Sequence, residues 1–455
     1  MKPISPDIFR AYDIRGIVDK DFDPDWVEFF GRACGAYFLK NGFHRAVLGH
    51  DARLSSPEYQ ERLALGMAET GVDVIQVGMV STPVCYFAAK HLGVDAGVMV
   101  TASHNPPEFN GFKVIAGPST IHGEEILALY RTMAGGNFPQ GRGLVTVHDI
   151  VPAYVDALAS QVKLSRPIKM VLDGGNGAGG PVTLQVLRAI GAEVVPLYCE
   201  PDGMFPNHHP DPVVEKNMVD LVARVKTEGA ACGIGLDGDG DRLGVVDETG
   251  RLMFGDQLLA IYAREMLKDH PGATVIGEVK CSHLTYKDIA AHGGNPIMGA
   301  TGHSLIKARM RETGAMLAGE MSGHMFFADR YHGFDDATYA ALRFLEVLDR
   351  HPEATAGTLL ADWPKTSSTP EIRFDCPEAI KFDVVKRAQD HFRSRYDMID
   401  VDGARIVFPD GWGLIRASNT QPVLVLRFEA ESPERLTEIR AIIESPLRSW
   451  IAEMS

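Results

Sequence analysis

The feature that most constrains the fold is a pattern that occurs three times along the chain. Each copy has an apolar β-like run, an amphipathic helical stretch, a glycine and a second apolar run, at residues 46–78, 168–198 and 273–300. A strand, helix and strand in this order form a parallel, right-handed crossover, and glycine commonly ends such a helix. The copies lie about 100 residues apart, far more than the roughly 20–50 residues of a solenoid repeat. The pattern therefore predicts three related α/β domains.

The chain after residue 363 has a different pattern. A segment rich in Pro, Ser and Thr (363–378) precedes a helix-like run, the short β-like runs DGARIVF and PVLVLRFEA, and a closing helix. This α+β order indicates a smaller fourth domain joined by a linker. We expect an α/β protein with three related α/β domains built on mixed sheets and a smaller C-terminal α+β domain. The expected boundaries are 1–148, 149–252, 253–363 and 364–455.

Composition excludes several classes of protein. The net charge of −15 argues against general binding to nucleic acid or to anionic membranes. The six cysteines form no CxxC pair, which favours reduced thiols over disulfides or a zinc site. The first residues lack the apolar core of a signal peptide, and no apolar run approaches the roughly 18 residues of a membrane span. We expect a soluble, cytoplasmic protein.

The stretch MVTASHNPPEFNGFK (99–113) suggests a nucleophile. An apolar β-run ends just before Ser103, a loop rich in Pro follows, and Lys113 lies ten residues on. Open α/β sheets bind ligands at the carboxyl edge, where this serine would lie. A turn serine that bonds its own backbone is the competing interpretation, and this stretch alone does not decide between them.

The segment DGDGDR (237–242) indicates a cation site. Asp237, Asp239 and Asp241 follow a β-run at alternate positions, and oxygen ligands of this kind suit Mg²⁺ or Ca²⁺. An EF-hand is rejected, because Arg242 stands where that motif requires glycine and the flanks are β-like. An acidic turn without a metal is less favoured, because three close carboxylates repel one another.

Two further loops carry polar groups suited to a phosphorylated sugar. GEMSGH (319–324) places Glu320, Ser322 and His324 between glycines, which suits recognition of hydroxyl groups. RASNTQP (416–422) combines Arg416 with short hydroxyl and amide side chains, as a phosphate-binding loop does. Each loop alone could be an ordinary polar turn.

The segment GGNGAGG (174–180) offers a different function. It matches G-x-G-x-x-G between a strand and a helix, and Glu200 lies about 20 residues on, as in dinucleotide-binding proteins. That match is weak alone, and a dehydrogenase would leave the other polar loops without a function. Glycines at these positions also suit close packing of a strand against a helix.

Taken together, TASHNP, DGDGDR, GEMSGH and RASNT closely resemble, in order and separation, the motifs of the α-D-phosphohexomutase family. The resemblance covers essentially the whole chain. The GEMSGH loop is most similar to the bacterial phosphomannomutase/phosphoglucomutase branch, since phosphoglucosamine mutases typically carry glutamine at the position of Met321.

The resemblance implies an isomerase with four domains around a central cleft. It would interconvert hexose 1-phosphate and hexose 6-phosphate, of mannose and/or glucose, through a phosphoserine and a 1,6-bisphosphate. The implied cofactors are Mg²⁺ and glucose 1,6-bisphosphate as activator or intermediate. The implied partners are hexose phosphates, without nucleic acid or membrane, in a monomer or homodimer.

The resemblance also implies a role for individual residues. The implied catalytic residues are Ser103, Lys113, Arg242, His303 and His324. The implied metal ligands are Ser103, Asp237, Asp239 and Asp241. The implied substrate-binding residues are Tyr12, Arg15, Lys280, Glu320, Ser322, Arg416, Ser418, Asn419 and Thr420.

Other functions remain open from the sequence. A metal-dependent sugar-phosphate phosphatase could use the same Ser103 and aspartates, although a hydrolase needs no second phosphate-binding loop. A phosphoglucosamine mutase, a dinucleotide-dependent oxidoreductase and a non-catalytic sugar-phosphate binding module are further candidates. The sequence does not rank Lys113, His303 and His324 as proton-transfer groups.

Overall fold

The computed structural model describes residues 1–418 and 422–454. Its first sheet is mixed and contains β1 (Ile14–Ile17), β2 (Arg45–His50), β3 (Asp73–Met79), β4 (Ala96–Val100), β5 (Phe109–Ala116), β6 (Ser119–Thr120) and β7 (Val145–Val147). The spatial order is β1-β5-β4-β2-β3-β7, with β6 beside β5. The accompanying helices are α1 (Pro24–Lys40), α2 (Ser56–Thr70), α3 (Thr82–His91) and α4 (Glu124–Gly135).

The second sheet follows α5 (Val151–Ala159) and has the order β12-β11-β10-β8-β9. Its strands are β8 (Lys169–Asp173), β9 (Glu193–Leu197), β10 (Cys232–Leu236), β11 (Leu243–Asp247) and β12 (Leu252–Met253). Its helices are α6 (Gly179–Ala189) and α7 (Val219–Glu228). Strands β10 and β11 directly flank the aspartate segment and pair antiparallel, so the rejection of an EF-hand is confirmed. The predicted hairpin turn at residues 248–250 lies between β11 and β12.

The third sheet has the order β14-β13-β15-β16. It contains β13 (Thr274–Glu278), β14 (Asn295–Gly299), β15 (Leu317–Gly319) and β16 (Met325–Phe327). The helices around it are α8 (Gly255–Asp269), α9 (His283–Ala291), α10 (His303–Thr313) and α11 (Ala337–Arg350). Short 3₁₀ turns lie at Pro6–Ile8, Glu215–Asn217 and Ala356–Thr358.

The fourth sheet has the order β17-β22-β21-β20-β19, with β18 also paired to β22, and its pairs are antiparallel. Its strands are β17 (Ser367–Ser368), β18 (Ile372–Asp375), β19 (Asp397–Ile399), β20 (Ala404–Phe408), β21 (Gly411–Ala417) and β22 (Val423–Ala430). Two helices, α12 (Lys381–Arg393) and α13 (Pro433–Met454), pack against it.

The three predicted crossovers are confirmed. The pairs β2–β3, β8–β9 and β13–β14 are all parallel, and each is connected by the predicted helix. Gly71, Gly191 and Gly293 follow these helices with positive φ, as expected of glycine beyond a helix end. The three sheets also contain antiparallel pairs, so the expectation of mixed sheets is correct.

Strand β21 was not among the tail strands expected from the sequence. Its segment GWGLIRA contains two glycines, which weaken the signal of a strand. A Cβ atom on Gly413 would lie 2.4 Å from the side chain of Ile443 in α13. Glycine therefore allows the helix to pack closely on this strand, a reason that only the folded structure reveals.

The hydrophobic core separates the fourth unit from the other three. One continuous cluster of buried side chains runs from the first sheet through the second to the third, and includes Val47, Leu172 and Phe327. The fourth unit has its own cluster, which includes Phe428 and Trp450. A small cluster of Val279, Trp412 and Leu414 lies where β21 meets the third unit. The first three units therefore share a core, whereas the fourth joins them through a much smaller apolar contact.

Candidate active site

The predicted nucleophile lies just after β4, in a backbone conformation that is uncommon for serine. Ser103 has a φ of +50° and is almost completely buried. Its backbone N–H donates to Thr101 Oγ1 at 2.9 Å, and its Oγ donates to Asp237 Oδ2 at 2.7 Å. His104 Nδ1 lies 3.2 Å from the same Oγ. The hydroxyl therefore points at the acidic segment of the second unit and not into its own turn.

A buried arginine holds the serine loop. The guanidinium of Arg53 donates to the backbone carbonyls of residues 103, 105, 106 and 109 at 2.6–3.0 Å. Its Nε also donates to Asp51 Oδ2 at 3.1 Å, and both side chains are fully buried. Burial lowers the pKa of Arg53, and the neighbouring Asp51 opposes that change. One side chain thus satisfies four carbonyls of a loop that has no regular hydrogen-bond pattern.

The three aspartates of DGDGDR converge as predicted. Ligand atoms of Asp237, Asp239 and Asp241 lie within 4.8 Å of one another, and all three side chains are buried. Asp239 Oδ1 and Asp241 Oδ1 have no hydrogen-bond partner within the described part of the chain. Burial, followed by the charges of Asp239 and Asp241, raises the pKa of Asp237 well above its usual value. Unpartnered oxygens and mutual repulsion fit a site for a hard divalent cation.

Lys113 contacts the same aspartates from β5. Its Nζ donates to Asp239 Oδ2 at 2.7 Å and to Asp241 Oδ2 at 2.5 Å. Burial alone would lower the pKa of Lys113, but the two carboxylates outweigh burial and raise it. The ammonium is therefore held in its charged form. Asp239 Oδ2 also accepts a hydrogen bond from Thr82 at 2.5 Å.

The metal segment and the predicted sugar loop are joined through their backbones. Arg242 and His324 form an antiparallel β-bridge, and Arg242 Nε donates to His324 Nε2 at 2.9 Å. Because that nitrogen accepts, a neutral His324 carries its proton on Nδ1. Nδ1 lies 3.1 Å from Asp335 Oδ2 and 3.6 Å from Asp241 Oδ1.

A second histidine stacks on the first. The rings of His303 and His324 are 5.5 Å apart and nearly parallel. Asp335 lies 3.5 Å from His303 Nδ1 and pairs with Lys307 Nζ at 2.8 Å. Burial, followed by the charge of Lys307, lowers the pKa of His303 well below its usual value. His303 is therefore neutral near pH 7.

The sugar loop contacts the turn that opens α10. Glu320 Oε1 accepts a hydrogen bond from the backbone N–H of Gly302 at 2.6 Å, and Ser322 Oγ donates to Glu320 Oε2 at 3.2 Å. Tyr12 of the first unit donates from its hydroxyl to the carbonyl of Thr301 at 2.9 Å. Glu320 and Tyr12, predicted from motifs far apart, therefore meet at one turn.

Two more predicted substrate residues are paired within the protein. Arg15 bonds Asp13, and its Nη1 donates to Asn105 Oδ1 in the serine loop at 2.8 Å. Lys280 Nζ lies 3.2 Å from Glu371 Oε2 and 3.7 Å from Glu278 Oε1. Arg15 is thus anchored beside the serine, and Lys280 lies between the third unit and the start of the fourth.

The predicted phosphate-binding loop begins at the end of β21. Arg416 is buried, and its Nε donates to Asp402 Oδ2 at 3.0 Å. Ser418 follows the strand, and its carbonyl accepts a hydrogen bond from Lys381 Nζ at 2.6 Å. Asn419 and Thr420 lie outside the described residues.

The glycine-rich segment 174–180 packs against the metal segment. A Cβ on Gly177 would lie 2.6 Å from the carbonyl of Gly238, and one on Gly179 would lie 3.1 Å from the Cα of Gly240. These contacts support close packing as the reason for the glycines.

The charged residues of the site that were not expected from the sequence include Arg53, Lys307, Asp335 and Asp402. None of the four lies in a repeated or glycine-rich motif. The position of Arg53 in HDARLSSP, directly after a predicted strand, is the one signal that could have identified it.

Comparison with known proteins agrees with this geometry. Family models named "Phosphoglucomutase/phosphomannomutase", for alpha/beta/alpha domains I, II and III and the C-terminal domain, match residues 6–138, 152–250, 254–366 and 371–445. The chain belongs to the phosphoglucomutase/phosphomannomutase family. It is therefore an enzyme of the α-D-phosphohexomutases, as its motifs predict.

Individual members of this family match nearly end to end. A phosphomannomutase/phosphoglucomutase of Pseudomonas aeruginosa is 44% identical over 97% of this chain and 96% of the relative. A phosphoglucomutase of Neisseria gonorrhoeae is 45% identical, covering 98% of each chain. A crystal structure of a family member from Burkholderia thailandensis, 44% identical, matches with a TM-score of 0.92 over 98% of both chains.

A distant structure shows the same fold. It is an N-acetylphosphoglucosamine mutase of Aspergillus fumigatus in complex with glucose 1,6-bisphosphate, 14% identical, with a TM-score of 0.60 over 99% of this chain and 97% of that one.

Within residues 1–418 and 422–454, no helix is both long and apolar enough to cross a membrane.

Proposed function

We propose that this enzyme reversibly converts hexose 1-phosphate to hexose 6-phosphate, of mannose and/or glucose, through a phosphoserine at Ser103 and a 1,6-bisphosphate. The observation that carries the proposal is the position of Ser103 Oγ, 2.7 Å from one of three buried carboxylates. A hydroxyl beside a cation site suits phosphoryl transfer, which depends mainly on positioning and charge neutralisation. A second phosphate-binding group at Arg416 suits a bisphosphate that must be held while either end reacts.

The transfer would proceed as follows. A free sugar hydroxyl attacks the phosphorus on Ser103, so that a new P–O bond to the sugar forms while the bond to Oγ breaks. The attacking hydroxyl loses its proton to His303 or, once Arg242 releases Nε2, to His324. Ser103 Oγ gains a proton as its bond to phosphorus breaks, and the return transfer reverses both proton movements. The intermediate then turns over in the cleft and returns its other phosphate to Ser103.

The proposed roles of the charged groups follow from their contacts. Lys113 stays protonated between two carboxylates, so it stabilises negative charge and does not act as a base. Asp237, Asp239 and Asp241, with Ser103, would hold Mg²⁺, which supplies charge neutralisation for the phosphoryl oxygens. Arg242 and Arg15 would contact the phosphoryl group.

The binding groups divide between the sugar and its distal phosphate. Glu320 and Ser322 would accept and donate hydrogen bonds to sugar hydroxyls, and Tyr12 and Lys280 would line the cleft. Arg416 with Ser418, Asn419 and Thr420 would bind the phosphate that does not react. An arginine at this place is apt, because its planar fork can bind two phosphate oxygens at once.

The remaining expectations belong to the same proposal. We propose domain boundaries at 148, 252 and 363, a cytoplasmic location, glucose 1,6-bisphosphate as activator or intermediate, and a monomer or homodimer.

The proposal is tested by following glucose 1-phosphate and mannose 1-phosphate with ³¹P NMR, in Mg²⁺ and a trace of glucose 1,6-bisphosphate. We expect 6-phosphates from the wild type, without matching release of inorganic phosphate, and a loss of activity of at least about 10³-fold in Ser103→Ala. Full activity of the alanine variant would reject the mechanism, and stoichiometric inorganic phosphate would favour the phosphatase. Glucosamine 1-phosphate as the preferred substrate would favour the phosphoglucosamine mutase.

A further inference from the structure

The turn between β14 and α10 is a junction of three parts of the molecule. Each polar group of Thr301 forms a hydrogen bond with a different unit. Its carbonyl accepts from Tyr12 of the first unit at 2.9 Å, and its Oγ1 donates to Glu278 of the third unit at 2.7 Å. Its backbone N–H donates to Asp402 of the fourth unit at 3.0 Å. The position of this turn is therefore defined jointly by all three units.

The next residue extends the junction to the sugar loop. The backbone N–H of Gly302 donates to Glu320 Oε1 at 2.6 Å. Gly302 has a φ of +134°, and a Cβ there would lie 2.7 Å from the ring of Tyr12. No other residue type fits this conformation and this contact together. A displacement of the turn would thus move the hydrogen-bond partners of both Glu320 and Tyr12.

One carboxylate oxygen links this turn to the phosphate-binding arginine. Asp402 Oδ2 accepts the N–H of Thr301 and the Nε–H of Arg416, each at 3.0 Å. Asp402 is bound through Nε, and among residues 1–418 and 422–454 no acceptor bonds the two terminal nitrogens, whose donors suit a phosphate. The side chain of Asp402 is only 17% exposed, so the shared oxygen is largely shielded from competing water.

We propose that Asp402 is a positioning residue that couples phosphate binding at Arg416 to sugar recognition at Glu320. The inference rests on the proposed function, because it assigns the two ends of one ligand to Arg416 and Glu320. Movement of the guanidinium onto a phosphate is transmitted through the shared oxygen to Thr301, and through Gly302 to the Glu320 carboxylate. Asp402 itself does not contact the sugar or the reacting phosphorus in this scheme.

The test is a double-mutant cycle between Asp402→Ala and Glu320→Gln. Both are introduced into Ser103→Ala protein, so that no turnover occurs, and the Kd of glucose 1-phosphate is measured by calorimetry. Independent sites give additive effects, whereas coupled sites do not. Glu320→Gln raises the Kd by some factor in each background. We expect that factor to be at least about five times smaller when residue 402 is alanine than when it is aspartate. Additivity within about twofold would overturn the inference.

Two further variants separate coupling from simple structural support. Asp400 is exposed and pairs with Arg393 at 2.8 Å, so a cycle between Asp400→Ala and Glu320→Gln should be additive. Asp402→Asn keeps an oxygen that can accept both N–H groups and should retain the coupling. Two results would contradict a link through the shared oxygen. One is that Asp402→Asn loses as much coupling as Asp402→Ala, and the other is that Asp400→Ala is coupled to Glu320→Gln as strongly as Asp402→Ala is.

The outcome also distinguishes this inference from the proposed function. If the protein with Ser103 converts glucose 1-phosphate to the 6-phosphate but the cycle is additive, only the inference is overturned. Binding of glucose 1-phosphate without any conversion by the Ser103-containing protein overturns the proposed function.

Discussion

The two ends of the candidate cleft are held in place by different means. At the serine end, Ser103, Lys113 and the three aspartates are buried between units that share one hydrophobic core. At the phosphate end, Arg416 lies on a unit with its own core, joined to the rest through a small cluster around Trp412. The buried Arg405 strengthens that junction by donating to the carbonyls of Val279 and Cys281.

This difference indicates that the two ends of the cleft have different functions. Groups that must meet a developing charge with small tolerance are built into a rigid core. Groups that must admit, hold and release a substrate lie on a unit with fewer apolar attachments, which suits a mobile element that closes over the cleft. The following variants test the two halves separately, from the largest expected effect to the smallest.

The largest effect is expected when Arg53 is replaced. Arg53→Met removes the donor for four carbonyls of the serine loop and leaves Asp51 buried without its cation. Breaking a buried pair in this way costs about 3–5 kcal/mol, which urea unfolding can measure, and kcat should fall at least about 100-fold as Ser103 moves. Arg62→Ala serves as the control, because its pair with Glu28 is partly exposed and is worth about 1 kcal/mol or less.

A smaller but more local effect is expected at Gly238. A Cβ there would lie 2.5 Å from the carbonyl of Ser103, so Gly238→Ala should push the serine loop away from the aspartates. We expect kcat to fall about 100-fold with little change in KM, since a misplacement near 1 Å has that effect. Gly135→Ala in α4, where a Cβ meets no described neighbour within 4 Å, should leave kcat unchanged. Equal kcat values in both variants would show that the two loops need not approach so closely.

At the phosphate end, a conservative change should affect binding and not chemistry. Arg416→Lys keeps the charge but loses the planar fork and the Nε bond to Asp402. We expect the KM for hexose phosphate to rise about tenfold, roughly the value of one charge-assisted hydrogen bond, with kcat changed less. The exposed Arg393→Lys is the matched control. A fall in kcat with constant KM would place Arg416 in the chemical step instead.

The smallest effect concerns stability away from both ends. His208 Nε2 lies 2.9 Å from the buried Asp173, and although burial lowers the pKa of His208, this carboxylate raises it above the usual value. A raised folded-state pKa contributes stability below about pH 6.5 that is lost as pH rises through the folded value. His208→Gln should therefore reduce the difference in unfolding free energy between pH 6 and pH 8.5 by about 1 kcal/mol or less. An unchanged difference would contradict this assignment.

The sequence predicted best what local patterns determine. Apolar runs, a helical period and Gly71, Gly191 and Gly293 are each visible within a few residues, and they sufficed for the three parallel crossovers. The site motifs were equally local, because phosphate and cation sites repeat glycines and acids at short spacing. Their convergence on one cleft followed from the family resemblance and not from the residues themselves.

What the sequence did not predict depends on contacts between distant segments. Arg53 acts on a loop about 50 residues further on, and Asp402 accepts from Thr301 about 100 residues before it. Asp335 matters because it lies beside two histidines brought together from α10 and the sugar loop. A single charged residue leaves no periodic signal, so its role becomes visible only when the backbone has placed its partners.

The backbone bridge between Arg242 and His324 has a consequence for protein engineering. Substrate preference is usually altered by exchanging one recognition loop between relatives. Here Arg242, which ends the aspartate segment, and His324, which ends GEMSGH, are paired with each other in an isolated β-bridge. A transplanted sugar loop without a histidine at this position would lose the bond from Arg242, the residue next to the predicted cation ligand Asp241. The two segments must therefore be exchanged as a pair, one from each unit.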